Sequence, residues 1–349
     1  MAKVDEKKIE EQRKLQVTGG STYILSLPKE WITRNQLKKG NVLIVSEEDD
    51  GSLAINPSKL EKQEKKNEAL IRVSSNDSQD AVMRRAISTY LAGYSMLRII
   101  SPSHQPFPAG LRNHLKKFAR NYLVGTEIVT DTPTELTLQI LLNYQELSVQ
   151  SALRRMAIIA ASMHKEAVGC LANLDYAAAK AVMETDEEVN RFSLYIVKLL
   201  KMAVANVRTV KEIGLGSPRE CIGYRLIGKS VERTADHATN IAENILALKS
   251  PLSIELLEKI NKLSNLAISM FEGAVEALFR HDFDQAEAVI EKIAQIRRLE
   301  KDAVIASQAV KIEEIPNVRL LIESIRRTAE YASDISEVVL NLNIESVLS

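Results

Sequence analysis

Several features that are common in proteins are scarce in this chain of 349 residues. Aromatic residues make up only 5% of it, cysteine occurs twice, and 46 lysines and arginines balance 46 acids. Cys170 and Cys221 lie far apart and form no CxxC pair, which favours buried thiols in a reducing compartment over a disulfide framework. Because the net charge is zero, any surface for nucleic acid must be local.

The chain also has no long apolar run and no secretion signal. The segment Met1–Gln12 is charged, and the longest apolar tract, 192–210, is interrupted by Lys198 and Lys201. A bilayer span needs about 20 nearly uninterrupted apolar residues, and a secretion signal needs an apolar core. The sequence therefore predicts a soluble, cytoplasmic protein without a membrane span.

Groupings typical of catalytic sites are missing as well. The sequence shows no HExxH motif, no zinc-type spacing and no Ser/His/Asp or Cys/His grouping. One string, 223–230, matches the phosphate-loop pattern GxxxxGKS letter for letter. A phosphate loop follows a buried strand, but residues 211–220 are charged or turn-like, so we predict a helix there and no nucleotide site. The protein is predicted not to be an enzyme, and a metal-dependent enzyme is the least favoured alternative.

The first two regions of the chain are small. Residues 1–60 show four short strand patterns, a helical turn beginning at Pro28, and a hairpin signal at Asp49-Asp50-Gly51. Such a module is too small for the core of a monomer, so we expect it to dimerise. Residues 61–147 begin with a charged linker, 61–67, and then alternate strand-like and helix-like segments. This alternation predicts a small α+β region, whose role the sequence does not indicate.

From residue 148 onward only helical periodicity is present, and the pattern is duplicated. The segment Arg225–Glu243 aligns without a gap with Arg319–Glu337, which lies 94 positions later. An internal repeat fixes the architecture, so we predict two three-helix repeats, 148–249 and 250–349, with antiparallel neighbouring helices. The predicted fold class is mostly α, with a small β module at the amino terminus.

Carboxylates recur at helical spacing in both repeats. Glu232, Asp236 and Asn240 lie at i, i+4 and i+8, and Glu330 with Asp334 repeats the spacing. Like charges four residues apart repel by roughly 0.2–0.5 kcal/mol unless something neutralises them. Neighbouring lysines and arginines would do so, and so would a hard cation such as iron, manganese, magnesium or calcium. The spacing alone leaves a solvated acidic face and a metal site both open.

The first region carries a local excess of positive charge. Between residues 13 and 39, six basic residues stand against one acid, Glu30, and six minus one gives a local charge of +5. The six are Arg13, Lys14, Lys29, Arg34, Lys38 and Lys39. A dimer would double this charge and would suit DNA phosphates, which position a protein without reporting sequence. An ordinary solvated surface is the alternative.

Two segments resemble known families. Ser230–Glu243 resembles the signature helix of the PhoU family of phosphate-uptake regulators, and the duplicated bundle extends the resemblance over about 148–345. Residues 13–59, above all Tyr23–Trp31, resemble the swapped-hairpin DNA-binding domain of the AbrB and SpoVT kind. The combination is similar to archaeal phosphate-uptake regulators.

The PhoU resemblance implies a non-enzymatic regulator of phosphate transport with metal ions on E-x-x-x-D motifs. The implied ion is iron, zinc, manganese, magnesium or calcium. Matched by position, the motif residues are Glu232 and Asp236 in the first half and Glu330 and Asp334 in the second, with Asp186 on the second helix of the first half. Asn190 stands where a second acid is usual, and the aligned positions of the other half hold Ile293 and Arg297. The first half is therefore expected to keep more of the family's metal ligands than the second half.

Two functions remain open on these grounds. The favoured one is a dimeric DNA-binding transcriptional regulator of phosphate uptake, with a PhoU-like sensor bundle. The alternative is an adaptor that docks on a phosphate ABC transporter ATPase or a sensor kinase, with the amino-terminal domain serving only dimerisation. The second strand opens with Gly20-Ser21-Thr22 where the AbrB pattern has glycine-arginine, which removes one expected phosphate contact.

Overall fold

The computed structural model describes residues 10–47, 51–57, 68–74, 76–102, 105–141, 147–205 and 207–348. The chain divides into two compact units, Met1–Lys66 and Asn67–Ser349. The acids of the predicted hairpin signal, Asp49 and Asp50, and the predicted linker at 61–67 lie outside the described residues, as does the predicted boundary near residue 60.

The first unit consists of two hairpins and a short helix. Its elements are β1 (Gln16–Thr18), β2 (Thr22–Ile24), α1 (Lys29–Arg34), β3 (Leu43–Glu47) and β4 (Leu53–Pro57). Strand β1 pairs antiparallel with β2, and β3 with β4. The turn between β1 and β2 uses Gly19 and Gly20 at φ of +61° and +85°, a region that glycine enters without steric cost.

One strand of the first unit, β2, is shorter than its sequence pattern predicts. Alternation predicts a strand over 22–27, but β2 ends at Ile24 because no strand of the described residues lies beside 25–27. Among the described residues of this unit only Pro57 is buried, and Val17, Tyr23 and Leu53 are 59%, 66% and 65% exposed. A single copy of the unit thus leaves its apolar side chains in water.

The second unit begins with the predicted α+β region. Its elements are β5 (Glu68–Arg72), α2 (Gln79–Leu91), β6 (Met96–Ile100), α3 (Leu111–Tyr122), β7 (Thr126–Asp131) and β8 (Glu135–Ile140). The sheet order is β5-β6-β8-β7, with β5 and β6 parallel and the other pairs antiparallel. Helix α2 begins after its N-cap residue Ser78, whose hydroxyl accepts a hydrogen bond from the Ala81 N–H at 3.2 Å.

The duplicated bundle is present as predicted. Its helices are α4 (Val149–Gly169), α5 (Tyr176–Ala205), α6 (Val207–Glu212), α7 (Glu220–Ala247), α8 (Ile254–Arg280), α9 (Phe283–Glu291), α10 (Ile293–Ala306) and α11 (Ile315–Asn343). The first half consists of α4, α5 and α7, with the six-residue helix α6 between the last two, and the second half consists of α8 to α11. The second helix of the second half is split at Lys292, whereas α5 is continuous there. No helix in the described ranges is both long and apolar enough to cross a bilayer.

Repeat-related residues meet where α7 packs on α11. His237 and Tyr331 are 94 positions apart, the repeat offset, and their ring centroids lie 5.6 Å apart. The Tyr331 hydroxyl lies 3.3 Å from His237 Nε2. A contact between equivalent positions of the two halves is what an approximate two-fold axis between them would produce.

The α+β region packs directly on α5. Lys198 is only 2% exposed, and its ammonium donates a hydrogen bond to the Tyr90 carbonyl oxygen at 2.8 Å while lying 4.3 Å from the centre of the Tyr90 ring. Burial lowers the pKa of Lys198 to about 8. Leu194 of α5 contributes to the core beneath the sheet. The region therefore belongs to the same compact unit as the bundle.

Candidate functional site

Three carboxylates of the first half come together between α5 and α7. Asp186 lies on α5, and Glu232 and Asp236 lie one turn apart on α7. The Glu232 carboxylate accepts hydrogen bonds from the Ser193 hydroxyl and from the Lys229 ammonium, both at 2.8 Å. The spacing indicated the two acids of α7, the family resemblance indicated Asp186, and the packing of α5 against α7 brings Asp186 close enough to interact with both.

Burial and mutual repulsion make this site electrostatically costly. Burial, and after it the charge of Asp236, raises the pKa of Asp186 to about 6. The Asn190 amide acts in the opposite direction, because it donates a hydrogen bond to Asp186 Oδ2 at 2.6 Å. Burial and then Glu232 also raise the pKa of Asp236. The other oxygen of Asp186, Oδ1, is buried and has no hydrogen-bond partner among the described residues. This oxygen is an acceptor that a cation or a bound proton would satisfy.

The carboxylates are not arranged as a ready-made metal cluster. Within the described ranges, no three His, Cys, Asp or Glu side chains are placed so that they could hold one ion together. Glu232 is turned toward Lys229, which supplies a counter-charge at its carboxylate. Asn240, the last predicted ligand, lies on the turn of α7 that follows Asp236 and is partly buried.

The matching acids of the second half are in a different environment. Arg326 and Arg327 both pair with Glu330, the latter at 2.7 Å. Arg326 also pairs with Glu300 of α10 at 2.9 Å. Asp334 is exposed on the same helix. Two guanidinium groups therefore already neutralise Glu330, where the first half has one ammonium at Glu232.

The carboxylate site borders the α+β region, a contact that sequence reasoning missed. Glu187, the neighbour of Asp186, accepts a hydrogen bond from the Asn121 amide of α3 at 2.9 Å. Burial, and then the charge of Glu187, raise the pKa of Tyr122 on the same helix. No local pattern pairs α3 with α5, because the two contacting residues, Asn121 and Glu187, are 66 positions apart. Helix α3 therefore lies within hydrogen-bonding distance of the site.

The phosphate-loop string lies within α7, as predicted. Gly223 packs against Leu342 of α11, and a Cβ atom at residue 223 would lie 3.0 Å from Leu342 Cδ2. At residue 228 a Cβ would lie 3.8 Å from Ile196, an ordinary contact. Both glycines therefore lie in a helix. Gly223 permits close packing against Leu342, whereas there is room for a Cβ atom at residue 228.

This difference predicts opposite effects of two alanine substitutions. Gly228→Ala is expected to stabilise the protein by about 0.5–1 kcal/mol through helix propensity. Gly223→Ala carries the same gain but must displace Leu342, so we expect it to be less stable than Gly228→Ala by about 1–2 kcal/mol. Urea unfolding of the two variants beside the parent chain measures both values. Equal stability of the two variants would contradict the close packing at residue 223.

The six predicted nucleic-acid residues are all exposed in the first unit. Lys29 and Arg34 lie on α1, and the others flank it in sequence. Arg13 pairs with Glu11, an acid outside the stretch in which the charge was counted. The other five side chains have no ion-pair partner within the described part of the chain. One of the six predicted cations is therefore already paired with an acid.

Comparisons with known proteins place both units. The model of the PhoU domain matches residues 153–245 and 260–339, and the model described as antidote-toxin recognition MazE, a bacterial antitoxin, matches residues 16–63. The phosphate-specific transport system accessory protein PhoU homolog of Xylella fastidiosa is 27% identical over 176 residues, which is 48% of this chain and 70% of that protein.

Two solved structures share the fold of the bundle. The crystal structure of PhoU from Pseudomonas aeruginosa has a TM-score of 0.50 at 21% identity and covers 57% of this chain and 96% of its own. The phosphate transport system regulatory protein PhoU from Streptococcus pneumoniae has a TM-score of 0.50 at 19% identity, covering 58% of this chain and 96% of its own. Both identities are low, so these likenesses concern the fold alone.

Proposed function

This chain belongs to the PhoU domain family through residues 153–245 and 260–339, and on that premise we propose that it is a dimeric, DNA-binding regulator of phosphate transport. The MazE-like segment at 16–63 forms the DNA-binding head, and the helical bundle forms the sensor. A regulator of this kind needs no catalytic residues, so the protein acts without an enzymatic step.

One observation carries the proposal. A small unit with exposed apolar strands and exposed cations is joined in one chain to a PhoU domain. Pairing two such units would bury the apolar side chains that a single copy leaves in water and would double the positive surface. Lysine and arginine side chains that lack acidic neighbours are available to DNA phosphates.

Charge reversal on α1 tests the head. In the variant Lys29→Glu/Arg34→Glu, repulsion replaces attraction at two exposed positions of each copy, so affinity for DNA should fall at least about tenfold. The slope of log affinity against log salt should become shallower as well, because fewer counterions are released. Fluorescence anisotropy measures both quantities with the full-length chain.

The matched control for this variant carries the same charge change on the bundle. Lys262→Glu/Arg298→Glu alters two exposed positions of α8 and α10. We expect it to leave DNA affinity within about twofold of the parent at equal salt. Equal losses in the two variants would mean that net charge, and not the head, governs binding.

A groove between α4 and α8 favours the adaptor as a second candidate function. It has a volume of about 600 Å³, and Ile158, which lines it, is 63% exposed. The Arg154 guanidinium lies 4.0 Å from the centre of the Phe279 ring at the same groove. Co-purification with a phosphate transporter ATPase or a sensor kinase that survives Lys29→Glu/Arg34→Glu but is lost in Ile158→Glu would support the adaptor over the DNA-binding regulator.

We also propose that the first half binds a metal ion and that the second does not. To hold iron, zinc, manganese, magnesium or calcium, the side chains of Asp186, Glu232 and Asp236 would have to draw closer together, with Asn240 beside them, and the ion would take over the role of Lys229 as counter-charge. At Glu330, the two arginines already supply that charge. When bound, the ion would supply positive charge to the carboxylates and would not take part in a reaction.

Elemental analysis tests the metal proposal. Protein purified without chelator should carry about one ion per chain, which Glu232→Ala/Asp236→Ala should lose. The matched control is Glu330→Ala/Asp334→Ala in the second half, which should keep the ion. A parent chain that stays free of metal after addition of each candidate ion would refute the proposal.

A further inference from the structure

The sheet of the α+β region has an edge strand whose backbone groups are open. Among the described residues, β5 pairs only with β6. The Val73 N–H donates to the Ile100 carbonyl at 2.9 Å and so continues the β5–β6 ladder. Because backbone groups alternate along a strand, Glu68, Leu70 and Arg72 direct their N–H and C=O groups away from β6. Such an edge is a template for another strand.

Within the second unit, no described strand other than β6 pairs with β5. A cleft of about 620 Å³ lies beside it, lined by Leu70, Ile71 and Arg72 of β5 and by residues of α2. Leu70 is 43% exposed. Natural edge strands are usually blocked by lysine, proline or a bulge. Strand β5 has none of these.

The sequence of β5 is complementary to itself. We propose that β5 pairs antiparallel with β5 of a second copy of this chain, with Leu70 opposite its own equivalent across a two-fold axis. In this register Glu68 of each copy faces Arg72 of the other, and the two leucines meet between the charge pairs. The three outward-facing residues of each strand then face each other and form about six backbone hydrogen bonds. The two four-stranded sheets become one continuous sheet.

The other edge of the sheet provides a contrast. Strand β7 has a register irregularity between Ile128 and Thr130. Pairing with itself about Val129 would place Glu127 of one copy opposite Asp131 of the other, and like charges directly opposite each other are destabilising. Strand β7 thus has two features that oppose pairing with itself, a register irregularity and like charges that would face each other, and β5 has neither.

The proposed head dimer supports this pairing, and to that extent the inference rests on the proposed function. Ten residues, 58–67, separate Pro57 of the head from Glu68 of β5 in sequence. Fully extended, ten residues span about 35 Å at most, so two heads in one dimer keep their β5 strands at high effective concentration. A five-residue edge that would pair weakly between free chains can then remain paired.

Cross-linking in the full-length chain tests the register. A cysteine at Leu70→Cys would face its equivalent directly, within the distance that a disulfide spans. The matched control is Val129→Cys on β7, where the native valine is 49% exposed. The native thiols, Cys170 and Cys221, are buried. Under mild oxidation we expect the Leu70→Cys chain to become mostly covalent dimer and the Val129→Cys chain to stay near the level of the parent.

A charge swap tests the pairs on either side of Leu70. Adding Arg72→Glu to the Leu70→Cys chain places acids opposite acids and should slow cross-linking at least about threefold. Adding Glu68→Arg as well places an arginine opposite each introduced glutamate and should restore the rate of cross-linking. A triple variant no faster than the one with Arg72→Glu alone would overturn the proposed register.

Light scattering on the same samples separates this inference from the proposed function. A dimeric chain that cross-links equally at 70 and 129 overturns the β5 pairing and leaves the head dimer intact. A monomeric chain that fails to cross-link at 70 overturns both. A dimeric chain that cross-links selectively at residue 70 and obeys the charge swap supports the pairing.

Discussion

Replacing His164 with alanine is expected to lower the free energy of unfolding by about 3–5 kcal/mol. The ring is completely buried, and its Nε2 and Nδ1 atoms lie 2.9 Å and 3.2 Å from the hydroxyls of Ser264 and Thr328. These contacts join α4 to α8 and α11, so the ring bonds the first half of the bundle to the second. Its removal leaves a cavity and two buried hydroxyls without this partner. Urea unfolding followed by circular dichroism measures the loss.

The same histidine gives the protein a sensitivity to acid. Burial lowers the pKa of His164 to about 4 from its usual value of 6.5, so the folded chain favours the neutral ring. This contribution to stability is complete above pH 6.5 and is lost as the pH falls toward 4. At about 1.4 kcal/mol per pH unit, the loss amounts to about 3 kcal/mol.

The variant His164→Gln isolates that titration, because an amide can donate and accept but does not take up a proton in this range. The stability difference between the parent chain and His164→Gln should therefore shrink by about 3 kcal/mol between pH 6.5 and 4. A difference that stays constant across this range would contradict a neutral, buried His164.

Replacing Asp186 with asparagine should act in the opposite direction. Because the folded chain raises the pKa of this carboxyl to about 6, its contribution to stability is present below pH 3.8 and is lost as the pH rises through 6. At pH 7.5 the ionised carboxylate therefore costs about 2 kcal/mol, after allowance for partial exposure. Asp186→Asn removes the charge, retains the shape, and should recover that amount.

The control for this prediction lies on the same helix. Glu188→Gln changes an exposed carboxylate of α5 and should alter the unfolding free energy by less than about 0.5 kcal/mol. At pH 3 the parent chain and Asp186→Asn should be equally stable. If the proposed ion is present, manganese should raise the melting temperature of the parent chain more than that of Asp186→Asn. An asparagine variant less stable than the parent at pH 7.5 without metal would contradict the electrostatic account.

The duplicated bundle could be predicted because its evidence was local and repeated. The offset of 94 residues established the two halves, and the lack of a strand before residue 223 indicated a helix where the letters matched a phosphate loop. The same offset also makes His237 and Tyr331 equivalent positions, and an approximate two-fold axis would bring them into contact. Whether equivalent positions meet depends on how the halves pack, which the repeat alone leaves open.

The buried polar contacts could not be predicted in the same way. Lys198 counted in the sequence as a charge that interrupts an apolar tract, yet it is buried because the Tyr90 carbonyl accepts its hydrogen bond. His164 bonds to residues about 100 and 164 positions away. Asp186 becomes costly only when α5 packs against α7. Each of these contacts is set by tertiary packing and has no local pattern.

The proposed function requires the head to distinguish one DNA sequence from another. Fluorescence anisotropy of the full-length chain should compare DNA from upstream of its own phosphate-uptake genes with scrambled DNA at about 50 and 200 mM salt. For a sequence-specific regulator we expect an affinity gap of at least about tenfold, or roughly 1.4 kcal/mol, that persists at the higher salt. Equal binding to the two DNAs that disappears at the higher salt, or no binding at all, would contradict it.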